Sequence, residues 1–400
     1  MLVADGRGGG VRVIDLADLR ASLSEAGVDG WLLFDFHGLN PVAGRVLGLK
    51  GMNTRRLFVL LPRDGEPVAV AHKIELQGLE GFPGRVMPYA RWSELHAALA
   101  SLVSGRRLAM EISPKDAVPY LDRVPYGVVE LLRTLGATVV PSGSLVSRFA
   151  AHWSRSEADD HRGAAEILAS VAREALARAA TQPDQGLTES TLQSQVVEAV
   201  RARGLVFDTL PIVGFGPNSA KPHYEPHPGD DRTLHAGEVI LLDLWAGRTG
   251  NTVFADQTWM GFAGAHVPDR LARVWTTVRD ARDAAISTVQ KAVAERRPVA
   301  GYEVDRSARA VIEAAGFGDA FVHRTGHSID RDLHGSGPHM DDYETHDERL
   351  LVPGIGFSVE PGIYLSGEFG MRSEVNMFLG ERGPEVTPRE PQVELIVARS

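Results

Sequence analysis

The sequence predicts two domains, an α/β domain over residues 1–150 and an α+β domain over residues 151–400. Strand patterns alternate with helix patterns from residue 11 to about residue 150, which favours an α/β domain. A long alanine-rich helical pattern follows. After it, the order helix, helix, strands occurs twice, which indicates an internally duplicated α+β domain without a clear sequence repeat.

The first domain shows its elements in short succession. "IDLADLRASLSEAGVDG" predicts a helix that ends in glycine, and "WLLFDF" predicts a strand. "RRLFVLLPRDGEPVAV" predicts a hairpin around Asp64-Gly65. A helix in "WSELHAALASLV", a strand in "RRLAMEI" and a helix followed by a strand in "VVELLRTLGATVV" complete the prediction.

The second domain begins with a helix start signal. Ser154 and Glu157 have the spacing of a capping box, so the domain boundary is placed near residue 150. Helices are predicted near residues 156–181, 188–203, 268–294 and 302–315. Apolar hairpins are predicted near residues 238–262 and 355–380.

Composition excludes several classes of function. The chain has 42 basic and 52 acidic residues, a net charge of −10 that weighs against general attraction to nucleic acid. No apolar run reaches the ~18 residues that span a bilayer, and "MLVADGRGGG" lacks the pattern of a secretory signal. The absence of cysteine excludes disulfides, thiolate nucleophiles and Cys-ligated zinc. We therefore expect a cytoplasmic protein that binds neither nucleic acid nor membranes.

Two aspartates lie inside the apolar hairpin "GEVILLDLWAGRTGNTVFADQTWMGF", residues 237–262. A turn at Thr249-Gly250 would place Asp243 directly opposite Asp256. Opposed residues have Cβ atoms roughly 4.5–5.5 Å apart. Two buried carboxylates at that distance repel each other unless a cation lies between them. A different register, or a solvated face of the hairpin, would remove the need for a cation.

Histidines and glutamates supply further candidate ligands. Five of the 14 histidines fall within residues 323–346, in and after "FVHRTGHSIDRDLHGSGPH"; they are His323, His327, His334, His339 and His346. A cluster in a loop indicates a site more strongly than a lone histidine does. A hairpin centred on Gly367 would place Glu360 of "FSVEPGIYL" opposite Glu374 of "GMRSEVNMF". Either glutamate alone would be read as an exposed strand residue.

Two facing pairs of acids and one histidine predict a metal centre. Such a site carries a charge of about −4, which two divalent cations would balance. Carboxylate-rich ligation favours manganese, cobalt or magnesium over sulfur-seeking ions. Two-metal sites hold their ions ~3.5–4 Å apart.

These residues resemble the ligand set of the pita-bread metallopeptidases, which include methionine aminopeptidase, aminopeptidase P and prolidase. The five residues, in the family's order, are Asp243, Asp256, His327, Glu360 and Glu374. "HRTGHSIDRDLHG" resembles the H-G-x-x-H-x-x-G-x-x-x-H-D segment of the aminopeptidase P and prolidase branch, and "VEPGIYL" and "GMRSEV" resemble T-x-E-P-G-x-Y and G-x-R-x-E-D. "GFGPNSAKPHYEP" resembles the segment that carries a substrate-side histidine, here His223. The resemblance implies a creatinase-like N-terminal domain and a pita-bread catalytic domain with a pseudo-twofold duplication.

The resemblance also implies an activity, that of a dinuclear-metal Xaa-Pro dipeptidase in which a metal-bridging hydroxide attacks the scissile carbonyl carbon. Glu360 would accept the proton of the water as well as ligate metal, or it would ligate metal alone. His223 and His334 would stabilise the oxyanion or protonate the leaving nitrogen, unless they are ordinary polar loop residues. His323 would shape the proline pocket. Arg372 would bind a substrate carboxylate or brace Glu374.

Cofactors and partners follow from the same resemblance. Two divalent ions are implied, with manganese as the first candidate and cobalt or zinc as alternatives. The substrate would be a small Xaa-Pro peptide, and a homodimer is an expectation borrowed from the relatives. An aminopeptidase P acting on longer peptides is the nearest alternative. A creatinase-like C–N hydrolase and a catalytically silent binding module are further alternatives, and both would be free to lose ligands that this chain retains.

The chain departs from the family pattern at several positions. Trp259 stands where the family usually has arginine, and Arg-Thr follows His323 in place of glycine. Val375 follows Glu374 where the family has aspartate, and the two aspartates lie two residues further apart than usual. These departures leave the predicted ligands intact and bear on substrate preference.

Overall fold

A computed structural model describes residues 15–49, 53–249 and 252–398. The chain divides into two compact units after Ala150. The segment "MLVADGRGGG" and Gly250 of the predicted turn lie outside the described residues. No helix in the described ranges combines the length and the apolar character needed to cross a membrane.

The first unit is built on a mixed six-stranded sheet with the order β4-β3-β2-β1-β5-β6. Its strands are β1 Gly30–Asp35, β2 Leu57–Pro62, β3 Val68–His72, β4 Arg85–Tyr89, β5 Arg107–Met110 and β6 Thr138–Pro141. Its helices are α1 Leu16–Glu25, α2 Pro41–Leu47, α3 Trp92–Val103, α4 Tyr126–Thr134 and the short α5 Gly143–Leu145. Strands β1 and β2 are buried throughout, which explains their continuous apolar sequences. The predicted β2–β3 hairpin is confirmed.

Four long helices organise the second unit. They are α6 Arg155–Ala180, α7 Glu189–Ala202, α8 Asp269–Ala294 and α9 Gly301–Ala314. Each bound lies within one residue of its prediction. The predicted capping box is confirmed, because the Ser154 hydroxyl accepts the Glu157 N–H while the Glu157 carboxylate accepts the Ser154 N–H.

The strands of this unit follow its helix pairs. They are β7 Ile212–Phe215, β8 Val239–Ala246, β9 Ala255–Phe262, β10 Ser328–Ile329, β11 Gly356–Val359, β12 Gly362–Leu365, β13 Phe369–Arg372, β14 Val375–Gly380, β15 Gly383–Thr387 and β16 Ile396–Val397. Two four-stranded sheets have the orders β16-β9-β8-β7 and β10-β11-β14-β15, and β12 pairs with β13. One core packs α6 and α7 against β8 and β9, and another packs α8 and α9 against both sets of strands. The predicted repetition of helix, helix and strands is therefore present.

The register of the β8–β9 hairpin differs from its prediction. Asp243 pairs with Thr258, and Trp245 pairs with Asp256, so the prediction that the two aspartates are directly opposed is wrong. The cause lies beyond the strand ends, where Gly247 exchanges backbone hydrogen bonds with Val206 instead of continuing the hairpin. Side chains alternate between the faces of a strand, so the two aspartates still lie on one face as diagonal neighbours, a relation in which residues are roughly 7–8 Å apart.

The second hairpin keeps the predicted register. Val359 pairs with Val375 on one side of the interruption, and Gly362 pairs with Arg372 on the other. Both pairings belong to one register, which places Glu360 opposite Glu374. The strand predicted over residues 357–365 is interrupted at Pro361, because proline has no N–H to donate to a neighbouring strand. Instead, the Glu360 N–H donates to the Thr325 carbonyl at 2.7 Å.

Candidate metal centre

The five predicted ligands come from separate segments of the second unit. Asp243 lies on β8 and Asp256 on β9, His327 directly precedes β10, and the two glutamates lie at the interruptions between β11 and β12 and between β13 and β14. Asp243, Asp256, His327 and Glu374 are buried, and the Glu360 side chain is 13% exposed. One ligand atom from each of Asp256, His327 and Glu374 lies within 4.8 Å of the other two. These three residues are the core of the candidate centre.

His327 joins Asp256 to Glu360. Its Nε2 lies 3.4 Å from Asp256 Oδ2 and 3.4 Å from Glu360 Oε1. Its Nδ1 lies 3.1 Å from the Ser328 carbonyl oxygen, and that hydrogen bond requires the proton on Nδ1. Burial lowers the pKa of His327, which favours the neutral ring with a free lone pair on Nε2. This is the tautomer that binds a metal ion through Nε2.

Thr258 and Arg372 join Asp243 to Glu374. Thr258 Oγ1 lies 3.2 Å from Asp243 Oδ1 and 2.8 Å from Glu374 Oε2. Arg372 Nε donates to the same hydroxyl at 2.8 Å, and the guanidinium forms an ion pair with Asp243. Another guanidinium nitrogen lies 4.0 Å from Glu360 Oε2. Arg372 therefore contacts Asp243 directly and connects to Glu374 through Thr258.

The pKa values of the four carboxyl groups are shifted by burial and by the charges of their neighbours. Burial raises the pKa of Asp243 to about 6, partly offset by Arg372, and burial together with the Glu360 charge raises the pKa of Asp256 to about 8. Burial and the charge of Asp256 also raise the pKa of Glu374 well above its usual range. Burial acts in the same direction on Glu360, but His327 and Arg372 outweigh it and hold its pKa at about 2. The site thus stabilises the anion of Glu360. It disfavours the anions of the other three carboxylates, those of Asp243, Asp256 and Glu374.

The residues fit a divalent cation. Glu374 Oε1 is buried and accepts no hydrogen bond within the described part of the chain, and such an atom is costly in a folded protein. Glu374 belongs to the same cluster as Asp256 and His327. Oxygen and imidazole donors suit manganese, cobalt and zinc, so a bound cation would satisfy the unpaired oxygen and relieve the repulsion.

One further predicted histidine, His334, contacts a residue of this cluster. The His334 ring meets the His327 ring edge-on, with centroids 4.3 Å apart. The pKa of His334 is lowered to about 3, first by His327, then by burial, and to a smaller extent by His223. His223 itself is exposed, in the loop between β7 and β8. The structure therefore places His334 against His327, while a place for His223 beside the cluster stays a prediction.

His323 occupies a different position, beside β12. Its Nε2 lies 2.8 Å from the Tyr364 hydroxyl, and its Nδ1 lies 2.6 Å from the Arg324 carbonyl oxygen. The last two histidines of the sequence cluster lie elsewhere. His339 accepts the Ser328 N–H at 3.2 Å, and His346 is exposed beside Asp342. Neither is part of the ligand cluster.

Sequence reasoning missed three polar neighbours of the ligands. Thr258 joins two carboxylates, as described above. Ser358 Oγ accepts the His327 N–H at 3.0 Å and donates to Glu360 at 3.1 Å. Asn376 Oδ1 accepts the Asp256 N–H at 2.9 Å. Each lies two residues from a predicted ligand, so the period-two alternation of strands was a signal that could have identified them.

Trp259 does not contact the ligand cluster. Its side chain lies on the opposite face of β9, in the core formed with α6 and α7. There its Nε1 donates to Gln257 at 2.8 Å, and the guanidinium of Arg173 lies 5.3 Å from the ring centroid. The departure from the family pattern at this position therefore affects packing and not the lining of the site.

Comparisons with known proteins agree with this geometry. Residues 159–381 match metallopeptidase family M24. The "Probable dipeptidase PepE" of Mycobacterium tuberculosis is 28% identical over 374 residues, 92% of each chain. The "Xaa-Pro dipeptidase" of Lactobacillus delbrueckii subsp. lactis is 31% identical over 193 residues, 47% of this chain and 48% of that protein. The crystal structure of dipeptidase PepE from Mycobacterium ulcerans matches with a TM-score of 0.72 and 25% identity over 96% of each chain.

The family match includes all five candidate ligands and more than half of the chain. The solved structure of the mycobacterial dipeptidase matches both units. The predicted fold, a creatinase-like α/β unit followed by a duplicated pita-bread unit, is confirmed. The chain belongs to metallopeptidase family M24, and it is a hydrolase of peptides.

Proposed function

We propose that this protein is a dinuclear-metal peptidase that hydrolyses the Xaa-Pro bond of dipeptides. The observation that carries the proposal is the cluster of buried carboxylates around His327, with one Glu374 oxygen left without a hydrogen-bond partner among the described residues. The names of two relatives, a dipeptidase and an Xaa-Pro dipeptidase, support the substrate class.

The residues divide between the two cations. Asp256, His327 and Glu374 would hold one ion, and Asp243 and Glu360 would extend the donor set to a second. When bound, divalent cations act as Lewis acids and lower the pKa of water, so that a nucleophile forms at neutral pH. Manganese is our first candidate for the native metal, with cobalt and zinc as alternatives.

Glu360 is our candidate for the general base. The Ser358 hydroxyl donates to one of its carboxylate oxygens at 3.1 Å and so orients the group. An ionised, oriented carboxylate can accept the proton of the attacking water and pass it to the leaving nitrogen. His334 and His223 would donate hydrogen bonds to the developing oxyanion or to that nitrogen.

Two further residues, His323 and Arg372, are assigned to substrate binding. The bond before proline is a tertiary amide without an N–H, so the site must recognise shape and the terminal charges. We assign His323, held by the Tyr364 hydroxyl, to the wall of the proline pocket. Arg372 would add a positive charge for the substrate carboxylate while it holds Asp243.

The cellular location and the oligomeric state are proposed from the sequence-based expectations. We propose a cytoplasmic protein and a homodimer. Equilibrium sedimentation would give the mass of the assembly, and cell fractionation would give the location.

Substrate length tests the proposed activity. We expect the manganese-loaded protein to cleave an Xaa-Pro dipeptide with a kcat/KM about 10²-fold above that of the matching Xaa-Pro-Xaa tripeptide. That ratio corresponds to about 2.7 kcal/mol, because lengthening the substrate moves its carboxylate away from the cationic group. Initial rates measured side by side by chromatography would give the ratio.

The matched control substrate is an Xaa-Ala dipeptide, which should be cleaved more slowly than the Xaa-Pro dipeptide. Equal cleavage of the tripeptide would assign the protein to the aminopeptidase P class instead. Cleavage of the Xaa-Ala dipeptide at the same rate as the Xaa-Pro dipeptide would contradict the proposed specificity for proline.

A further inference from the structure

A buried carboxylate outside the metal centre belongs to Glu189, the first residue of α7. The residue is 0% exposed, and the mechanism proposed above does not use it. Acidic residues in the first turn of a helix ordinarily interact with the helix N-terminus near the surface. Complete burial is therefore unusual for this position and calls for a set of strong donors.

The donors are backbone N–H groups and polar side chains. Glu189 Oε1 accepts the Phe215 N–H at 2.6 Å, and Oε2 accepts the Arg232 N–H at 2.9 Å and the Tyr224 hydroxyl at 2.7 Å. The Asn218 side-chain amide lies 3.2 and 3.1 Å from the two oxygens. Hydrogen bonds to an ionised carboxylate are about twice as strong as those between neutral groups.

These donors lie at both ends and in the middle of one loop. The loop covers residues 216–232, follows the end of β7 and contains His223, which directly precedes Tyr224. Apart from a single 3₁₀ turn at Gly216–Ala220, the loop has no helix or strand of its own. Backbone hydrogen bonds within the loop span only three or four residues each, whereas the Glu189 carboxylate joins the Phe215 N–H at one end to the Arg232 N–H at the other.

The same loop is fixed to the strands of the candidate centre. Ser219 Oγ accepts the Gly370 N–H at 2.9 Å, two residues before Arg372 on β13. Gly370 has no room for a larger side chain, since a Cβ there would lie 2.3 Å from the Ser219 carbonyl oxygen. The Lys221 ammonium donates to Asn218 Oδ1 at 2.9 Å. The network thus runs from Glu189 through Asn218 to the loop around His223.

We propose that Glu189 is a positioning residue, whose carboxylate fixes the 216–232 loop and thereby holds His223 toward the reacting bond. This inference rests on the role proposed above for His223. Glu189 does not touch the ligand cluster, so it acts on catalysis through the loop and not through metal binding.

A double-mutant cycle tests the proposal. Glu189→Gln replaces one acceptor oxygen with an NH₂ group that faces N–H and O–H donors, and we expect kcat/KM to fall about 10-fold or more, the size of effect known for residues that orient others. His223→Ala should lose about 10²-fold, the lower end for a proton-transfer group. The double variant should be no slower than His223→Ala alone, because residues that act through one another are not additive.

Two readouts separate positioning from damage to the fold. Hydrogen exchange at the Phe215 and Arg232 amides should accelerate in Glu189→Gln, while the bound manganese per chain stays at the wild-type value. Tyr224→Phe removes one donor and should show the same pattern at about 2- to 5-fold, which covers the case that Glu189→Gln does not fold. Glu198→Gln, an exposed position on the same helix, is the matched control and should behave as wild type.

Wild-type exchange rates in the folded Glu189 and Tyr224 variants would overturn the proposal. So would a double variant that multiplies the two losses, because Glu189 would then act independently of His223. A fully active His223→Ala would instead overturn the role proposed for His223. These failures are distinguishable from one another, and metal-dependent hydrolysis by the wild type tests the proposed function separately.

Discussion

Replacing Glu360 with glutamine is expected to lower kcat by about 10²- to 10⁴-fold, the usual contribution of a general base. An amide accepts no proton at neutral pH, and the substitution also removes a negative charge from the proposed second metal site. The fold should persist, because the backbone of Glu360 is held by the Thr325 carbonyl and by the register of the flanking strands. Steady-state rates with saturating manganese, together with thermal unfolding of each variant, measure both effects.

The matched control for this variant is Glu368→Gln. Glu368 lies on the exposed turn between β12 and β13 and forms an ion pair with Arg270 at 2.5 Å. Surface pairs of this kind contribute at most about 1 kcal/mol, so activity should stay near that of wild type. Full activity in Glu360→Gln would contradict the assignment of Glu360 as the base.

Acidification of the metal-free protein should stabilise it through Asp256. The pKa of this carboxyl is raised from 3.8 to about 8 by burial and by the Glu360 charge. The folded state therefore binds more protons than the unfolded state between these values. The contribution is fully present below pH 3.8 and is lost as the pH rises through about 8. At ~1.4 kcal/mol per pKa unit, the free energy of unfolding should change by up to about 6 kcal/mol.

Other buried groups titrate in the opposite sense, since burial lowers the pKa of His161 and of His323 to about 4. The effect of Asp256 is therefore measured as the difference between wild type and Asp256→Asn in urea unfolding from pH 8 to pH 4, without metal. The control is Asp319→Asn at an exposed position, which should follow wild type. Identical pH slopes in wild type and Asp256→Asn would contradict the account of the buried carboxylates.

Saturating manganese should stabilise the folded state at high pH, as protonation of Asp256 does at low pH. At pH 8 a ligand present at a thousand times its Kd stabilises the folded state by about 4 kcal/mol. The Asp256→Asn variant should gain less, because it lacks one donor of the cluster. The same urea titrations with and without manganese provide this comparison.

Local signals explain which parts of the fold could be predicted. The helices of the second unit follow from apolar periodicity and caps such as Ser154. The register around Glu360 and Glu374 follows from a tight turn at Gly367, whose φ of 77° suits glycine. The register around Asp243 was not predictable in the same way, because Gly247 pairs with Val206, a partner outside the hairpin.

The residues of the candidate site were also predictable only where a local sequence pattern marks them. The five ligands could be identified because carboxylates and a histidine in apolar strands are unusual residue types for those positions. The contact between Arg372 and Asp243 depends on how β8 and β13 pack, which no local pattern encodes. Glu189 was overlooked because an acid in the first turn of a helix is an ordinary helix signal, and its burial depends on the loop that folds over it.

Anomalous scattering from crystals of the manganese-loaded protein is the most direct test of the shared metal centre. We expect two peaks per chain, ~3.5–4 Å apart, in contact with the carboxylates of Asp243, Asp256, Glu360 and Glu374 and with His327 Nε2. Well-ordered crystals grown in manganese that show no peak among these five side chains would contradict the central claim.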